Sequence, residues 1–197
     1  MQTLQFWFAY PSTYSYLSVA RIARLAAART VRVEWQPFSL QPIFAPRGWE
    51  RGPFLPFPDK LDYMWRDLER RAALHGIAYK RPAVYPPNTR ITTRVGLLAA
   101  RQGWCPAFTE AVFKLHWVDG CSLGTEDNLN TAIASLGRSP AQVLADAEGP
   151  DIDAALSAQT DRAKALKLFG APSFTVCDEL FWGDDRLEDA IEWAATH

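Results

Sequence analysis

Ser12 is the residue best placed to do chemistry. It lies in Ala9-Tyr10-Pro11-Ser12-Thr13-Tyr14-Ser15-Tyr16, between a short aromatic run and a stretch of helical periodicity. The first turn of a helix presents unpaired N–H groups and the positive end of the helix dipole, a place that favours an anion. Two roles suit a hydroxyl there. It can cap the helix, or it can donate a hydrogen bond to a thiolate brought by a cofactor. The three cysteines, Cys105, Cys121 and Cys177, stand far from this junction, so thiol–disulfide exchange by the chain's own sulfur at this place is excluded.

Two later segments carry further polar or backbone groups of interest. Phe169-Gly170-Ala171-Pro172-Ser173-Phe174 precedes an apolar run with strand character. Proline is tolerated at a strand start, and a cis bond there would turn the Ala171 backbone toward a ligand, but from the residues alone trans is the expected isomer. In Trp182-Gly183-Asp184-Asp185-Arg186, Asp185 with Glu188 three residues on reads as a helix N-cap. Two adjacent carboxylates also suit an ammonium group, such as the γ-glutamyl amine of a tripeptide.

The remaining candidates have ordinary readings as well. Lys60, Tyr63, Arg66, Asp67 and Arg70 have the spacing of solvated pairs on one helix. Tyr85 and Asn88 lie in a proline-rich loop, where a turn role is the simplest. His75 is expected near a helix C-terminus and His116 in mid-helix. No HExxH or Cys/His cluster is present, so no metal site is expected, and no glycine-rich phosphate loop supports nucleotide binding.

These residues need elements to hold them. Residues 4–10 read as a buried strand and residues 31–38 as a second. Between them Val19, Ile22, Ala23 and Ala26 form a helical stripe, with Arg21 and Arg24 opposite. A β-α-β opening of this length suits a right-handed crossover with parallel strands. A stretch with Pro37, Pro42, Pro46, Pro53, Pro56 and Pro58 interleaved with Phe44, Trp49, Phe54, Leu55 and Phe57 follows. Its prolines argue against regular helix, and its aromatics argue for an ordered loop able to wall a pocket.

Helical signals then crowd together. Leu61, Met64, Trp65, Leu68 and Ala72 form a stripe ended by Gly76. Further helices are expected over residues 90–101, from Pro106, from a Thr125 cap to Gly137, from a Ser139-Pro140-Ala141-Gln142 capping box, and over residues 152–168. Two short strands, 173–177 and 179–182, and a last helix carrying Leu187, Ala190, Ile191 and Ala194 close the chain. The order is β-α-β, a helical block, then β-β-α. This is an α/β chain with a thioredoxin-like fold and a large all-helical insertion: residues 1–40 and 166–197 form the thioredoxin-like part, and 41–165 the insertion.

Composition agrees with a globular domain. The 197 residues carry 21 Lys+Arg against 22 Asp+Glu, a formal charge of -1, which argues against a nucleic-acid binder driven by bulk positive charge. No apolar run is long enough for a transmembrane helix, the N-terminus lacks the pattern of a secretory leader, and the odd, scattered cysteines fit a reducing cytoplasm.

Taken in order, these segments resemble the 2-hydroxychromene-2-carboxylate isomerase family, part of the DsbA-like group that includes kappa-class glutathione transferases. The likeness covers nearly the whole chain. It rests on residues 6–17, Lys60-Leu61-Asp62-Tyr63 with Asp67, Pro82 to Tyr85, residues 169–173 and residues 181–187. It implies glutathione as cofactor, with Ser12 activating its sulfur. It also implies Ala171 before a cis Pro172 pairing with the tripeptide backbone, and Trp182, Gly183, Asp184 and Asp185 at its γ-glutamyl end. Tyr85 matches a substrate-contacting tyrosine, with Asn88 in the same loop. Phe44, Phe54 and Leu55 stand where the family's loop has polar and basic substrate contacts, so the wall expected here is apolar. A small aromatic substrate and a homodimer complete what the resemblance implies. A kappa-like glutathione transferase or peroxidase, and a non-catalytic thioredoxin-like binding protein whose serine is only a cap, are the alternatives.

Overall fold

The computed structural model describes residues 3–49 and 52–197. The chain opens with β1 (Thr3–Phe8), α1 (Thr13–Ala28) and β2 (Arg32–Pro37), followed by α2 (Gln41–Phe44) and a 3-10 turn at Ala45–Arg47. A helical block follows: α3 (Pro58–Leu74), α4 (Arg90–Gln102), α5 (Cys105–Trp117), α6 (Glu126–Ser135), α7 (Pro140–Ala147) and α8 (Pro150–Ala165). The end is β3 (Ser173–Val176), β4 (Glu179–Trp182), a 3-10 turn at Asp184–Arg186, and α9 (Leu187–Thr196). This is the expected thioredoxin-like order with helices between its halves.

The strands form one sheet in the order β2-β1-β3-β4. β1 runs parallel to β2 and antiparallel to β3, and β3 is antiparallel to β4. Phe6 is the register point: it pairs with Trp35 on one side and Phe174 on the other. Its ring meets theirs at centroid distances of 5.1 and 5.4 Å.

Alternation along β1 divides the core. Leu4, Phe6 and Phe8 pack with Val19 and Ile22 of α1, Phe108 and Phe113 of α5, and Leu187, Ala190 and Ile191 of α9. Trp7 points the other way, into a cluster with Phe38, Ile43, Phe44, Ala163 and Leu168. The sheet is thereby covered on both faces, which makes its position rigid. Tyr10, at the end of β1, is buried. Its hydroxyl meets Thr109 at 2.9 Å, and a Cβ on Gly96 of α4 would lie 2.3 Å from its oxygen. Only glycine lets α4 approach the strand-to-helix junction this closely.

Several local expectations change. The proline-rich stretch contains α2 and a 3-10 turn, because Pro42 and Pro46 occupy first-turn positions where no amide hydrogen is needed. Arg21, expected opposite the apolar stripe of α1, is buried, whereas Ala23 is exposed. His116 lies near the C-terminal end of α5 rather than mid-helix. Ser139 caps α7, but Gln142 hydrogen-bonds Asp146 at 2.8 Å, so only half of the capping box forms. Asp185 does not cap α9: a 3-10 turn intervenes and the helix starts at Leu187 without a side-chain cap.

Candidate active site

Both roles considered for Ser12 meet on one oxygen. Ser12 is the N-cap of α1, with φ −83° and ψ 117°, and its Oγ accepts from the Ser15 N–H at 3.2 Å. The same hydroxyl donates to the carbonyl of Ala171 at 2.8 Å. The cap leaves the N–H groups of Thr13 and Tyr14 without intrahelical carbonyls, at the positive end of a 16-residue helix. Residues 159 positions apart thus share a hydrogen bond at a helix end that favours an anion.

The loop that receives this bond is itself pinned. Ala171-Pro172 is cis, against the trans isomer that the residues alone suggested and in line with the family resemblance. The Ser173 hydroxyl donates to the Gly170 carbonyl at 2.9 Å, and the Gly183 N–H donates to the Pro172 carbonyl at 3.0 Å. The Trp182 indole lies across Gly170, where an added Cβ would come within 2.4 Å of its Nε1. Its ring also meets Phe169 edge-on at 4.9 Å, and both aromatics are about half exposed.

The two adjacent carboxylates have separate fates. Asp184 is 2% exposed. Its Oδ1 accepts from Ser18 at 3.0 Å and Arg21 at 2.6 Å, while its Oδ2 accepts from Arg71 Nε and Nη2 at 2.9 and 2.7 Å. Arg21 also binds Glu188. Asp184 therefore does not share an ammonium with Asp185: its lone pairs are already occupied by protein donors. Asp185 is exposed and folds back over Gly183, whose φ of +109° only glycine holds easily. Sequence reading missed Arg21 and Arg71, because their partners lie more than 110 residues away.

α3 approaches the same end of α1. The Tyr14 hydroxyl donates to Asp67 at 2.9 Å, and burial, reinforced by that carboxylate, holds the phenol well above its ordinary range. Asp67 also pairs with Arg70 at 3.1 Å, so one member of the expected surface pairs is tied to the turn that carries Ser12. On the same helix, Met64 and Trp65 support Tyr85. The Tyr85 hydroxyl reaches Met64 Sδ at 3.7 Å, its ring stands edge-on to Trp65 at 4.9 Å, and burial pushes its pKa up to about 12.

Phe54 and Leu55 are half-buried, with Lys60 Nζ 5.3 Å from the Phe54 ring centroid. Phe44 is not part of a pocket wall: it is buried in the Trp7 cluster against Trp49. Asn88 serves its own turn, its Oδ1 accepting from the Arg90 N–H at 3.2 Å. Among the described residues no three His, Cys, Asp or Glu side chains gather into a metal-ligand set. Among the described residues no helix is long and apolar enough to cross a membrane.

Residues 3–192 match the family model of the DSBA-like thioredoxin domain. The chain belongs to this family. Within DSBA-like proteins it is similar to the 2-hydroxychromene-2-carboxylate isomerase of Pseudomonas putida, at 27% identity over 93% of this chain and 90% of that one. The enzyme of the same name from Pseudomonas sp. (strain C18) is 29% identical over 93% of this chain and 86% of that one. A solved 2-hydroxychromene-2-carboxylate isomerase superposes with a TM-score of 0.85 at 27% identity, covering 97% and 95% of the two chains. The cytosolic disulfide reductase DsbM from Pseudomonas aeruginosa, solved with GSH, shares the DSBA-like fold at a TM-score of 0.65 and 18% identity, over 98% of this chain and 96% of that one.

Proposed function

We propose that this protein is a glutathione-dependent isomerase of the 2-hydroxychromene-2-carboxylate isomerase type, acting on that compound or a related aromatic-degradation intermediate and forming the trans-benzylidenepyruvate. The observation that carries this reading is the Ser12 hydroxyl at the N-terminus of α1, bonded to the Ala171 carbonyl where no cysteine stands. The anion-favouring end of the helix is kept while the chain supplies no sulfur, so the nucleophile comes from outside. Isomerase relatives of 25–29% identity over most of both chains support the reading.

The residues present fit a γ-glutamyl tripeptide. Ser12 and the Thr13 and Tyr14 amides suit the sulfur, the pinned Ala171-Pro172 backbone suits an extended peptide, and the exposed Asp185 carboxylate suits the ammonium, with Trp182 and Gly183 beside it. When bound, glutathione supplies a thiolate whose reversible addition to an unsaturated carbon converts a double bond into a rotatable single bond. Ser12 holds the hydroxyl proton that faces the sulfur, and the dipole of α1 stabilises the negative charge. Tyr85 and Phe54 offer apolar contact to the aromatic ring and orient it. A homodimer and a cytoplasmic location belong to the same proposal.

Calorimetric titration with glutathione, followed by absorbance of the bound thiol against pH, tests the cofactor. Binding with the thiol titrating below its solution value is expected, and absence of binding at millimolar concentration would overturn the reading. Product analysis with the chromene carboxylate then separates isomerisation from transfer: a recovered isomer supports the proposal, and a stable glutathione conjugate assigns a transferase.

A further inference from the structure

The Asp184 carboxylate is held by arginines from two different helices. Arg21 comes from α1, is 4% exposed, and is shared, since it also bonds the Leu17 carbonyl, the Asp184 carbonyl and Glu188. Arg71 is different. It arrives from α3 in the helical block, its side chain is 23% exposed, and its Nε and Nη2 both go to one oxygen of Asp184.

From Arg71 a continuous path of short contacts leads to the candidate site. The guanidinium holds the Asp184 carboxylate at 2.7 and 2.9 Å, and Asp184 follows Gly183 in the chain. The Gly183 N–H holds the Pro172 carbonyl at 3.0 Å, and the carbonyl of the preceding Ala171 receives the Ser12 hydroxyl at 2.8 Å. Asp185, exposed and paired only with the equally exposed Arg186 at 3.3 Å among the described ion pairs, sits on the same turn and packs over Gly183. With Arg71 holding Oδ2 through two N–H groups and Arg21 holding Oδ1, each oxygen has its own guanidinium, which fixes both position and orientation of the carboxylate.

We infer that Arg71 is a positioning residue for the cofactor site: acting through Asp184, it sets the Gly183–Asp185 turn so that Asp185 faces the ligand and Gly183 holds the Ala171-Pro172 segment. This rests on the glutathione reading above and assigns Arg71 a task that reading did not contain. Affinity for the γ-glutamyl end depends on Arg71, whereas acidity of the bound thiol, a property of Ser12 and the α1 terminus, does not.

The experiment compares wild type, Arg71→Met and Arg71→Lys by glutathione calorimetry, bound-thiol titration, KM and kcat, and amide hydrogen exchange without ligand. Arg71→Met leaves Asp184 bonded to Arg21 and Ser18, and exchange of the sheet amides checks that the fold survives. This variant is expected to weaken glutathione binding and raise its KM by about tenfold or more, the scale of charge-assisted hydrogen bonds, with kcat and thiol pKa retained. Its Gly183 amide is expected to exchange faster while Phe6, at the centre of the sheet, is unaffected; Arg71→Lys restores part of the affinity. Wild-type glutathione affinity and Gly183 protection in Arg71→Met would overturn the inference, even if thermal stability fell. No glutathione binding by wild type in the same titration would instead overturn the functional reading, and the inference with it.

Discussion

The Ser12 hydroxyl donates to the Ala171 carbonyl at 2.8 Å while accepting from the Ser15 N–H at 3.2 Å. A hydroxyl has one proton, so donation to a bound sulfur anion means letting go of Ala171. The exchange is favourable because a hydrogen bond to an ion is roughly twice as strong as one between neutral groups. In this arrangement the cap stays in place while the donor switches partner.

Two substitutions at Ser12 separate the roles. Ser12→Ala removes cap and donor together, and is expected to cost about 1 kcal/mol of stability and about 10²-fold in kcat/KM. Ser12→Asp keeps a capping oxygen but places negative charge where the thiolate would sit. It cannot donate to the Ala171 carbonyl, so its unfolding midpoint should fall below wild type while glutathione turnover is lost, as denaturation and steady-state kinetics would measure. Full turnover in Ser12→Asp would leave the cap as the residue's whole role.

Tyr85 offers a cleaner test of the substrate wall. Its hydroxyl has a sulfur contact of 3.7 Å, a weak bond, while its ring packs on Trp65. Tyr85→Phe keeps the ring, so stability should change by less than about 1 kcal/mol. A several-fold rise in KM for the aromatic substrate, with glutathione affinity unchanged, is expected from initial rates. Identical kinetics would remove the phenol from the site.

Acid should destabilise the protein through His116. Its ring is buried, its Nδ1 accepts from the Leu123 N–H at 3.0 Å, and desolvation lowers its pKa from 6.5 to about 4. Unfolded His116 takes a proton near its ordinary value, so between these limits the unfolded chain binds more protons and stability rises with pH. The contribution is complete above about pH 6.5 and is lost on descent toward about pH 4, on the order of 3 kcal/mol in all. Urea denaturation across that range should show the slope, and His116→Gln should flatten it. A residue of the slope remains, because burial and the nearby Arg21 also lower His75.

Arg94 anchors the corner between α7 and α8. It is buried, and it donates to the Ala147 carbonyl at 2.6 Å, to the Gly149 carbonyl at 3.1 Å, and to Asp153. Arg94→Met orphans those carbonyls and should cost about 2–4 kcal/mol in chemical denaturation. Arg94→Lys should recover little of it, since an ammonium cannot span both carbonyls as a planar fork does. A neutral Arg94→Met would mean that water reaches the corner.

What could be read from residues alone was what depends on neighbours in the chain. The alternation in β1, the α3 stripe of Met64, Trp65, Leu68 and Ala72, and the Ser12, Thr125 and Ser139 caps are set by periodicity and by hydrogen bonds three residues apart. These suffice for the β-α-β and β-β-α halves and for Ser12 as the residue at the anion-favouring end. Tertiary structure decided everything that needs two distant segments. It brought Ala171 to Ser12, placed Phe44 beneath Trp49, and separated Asp184 from Asp185 by surrounding one with Arg21 and Arg71 and leaving the other in solvent. Side-chain type and spacing do not encode such partners, because a carboxylate's role depends on whether burial and a guanidinium from elsewhere in the chain have already occupied its lone pairs.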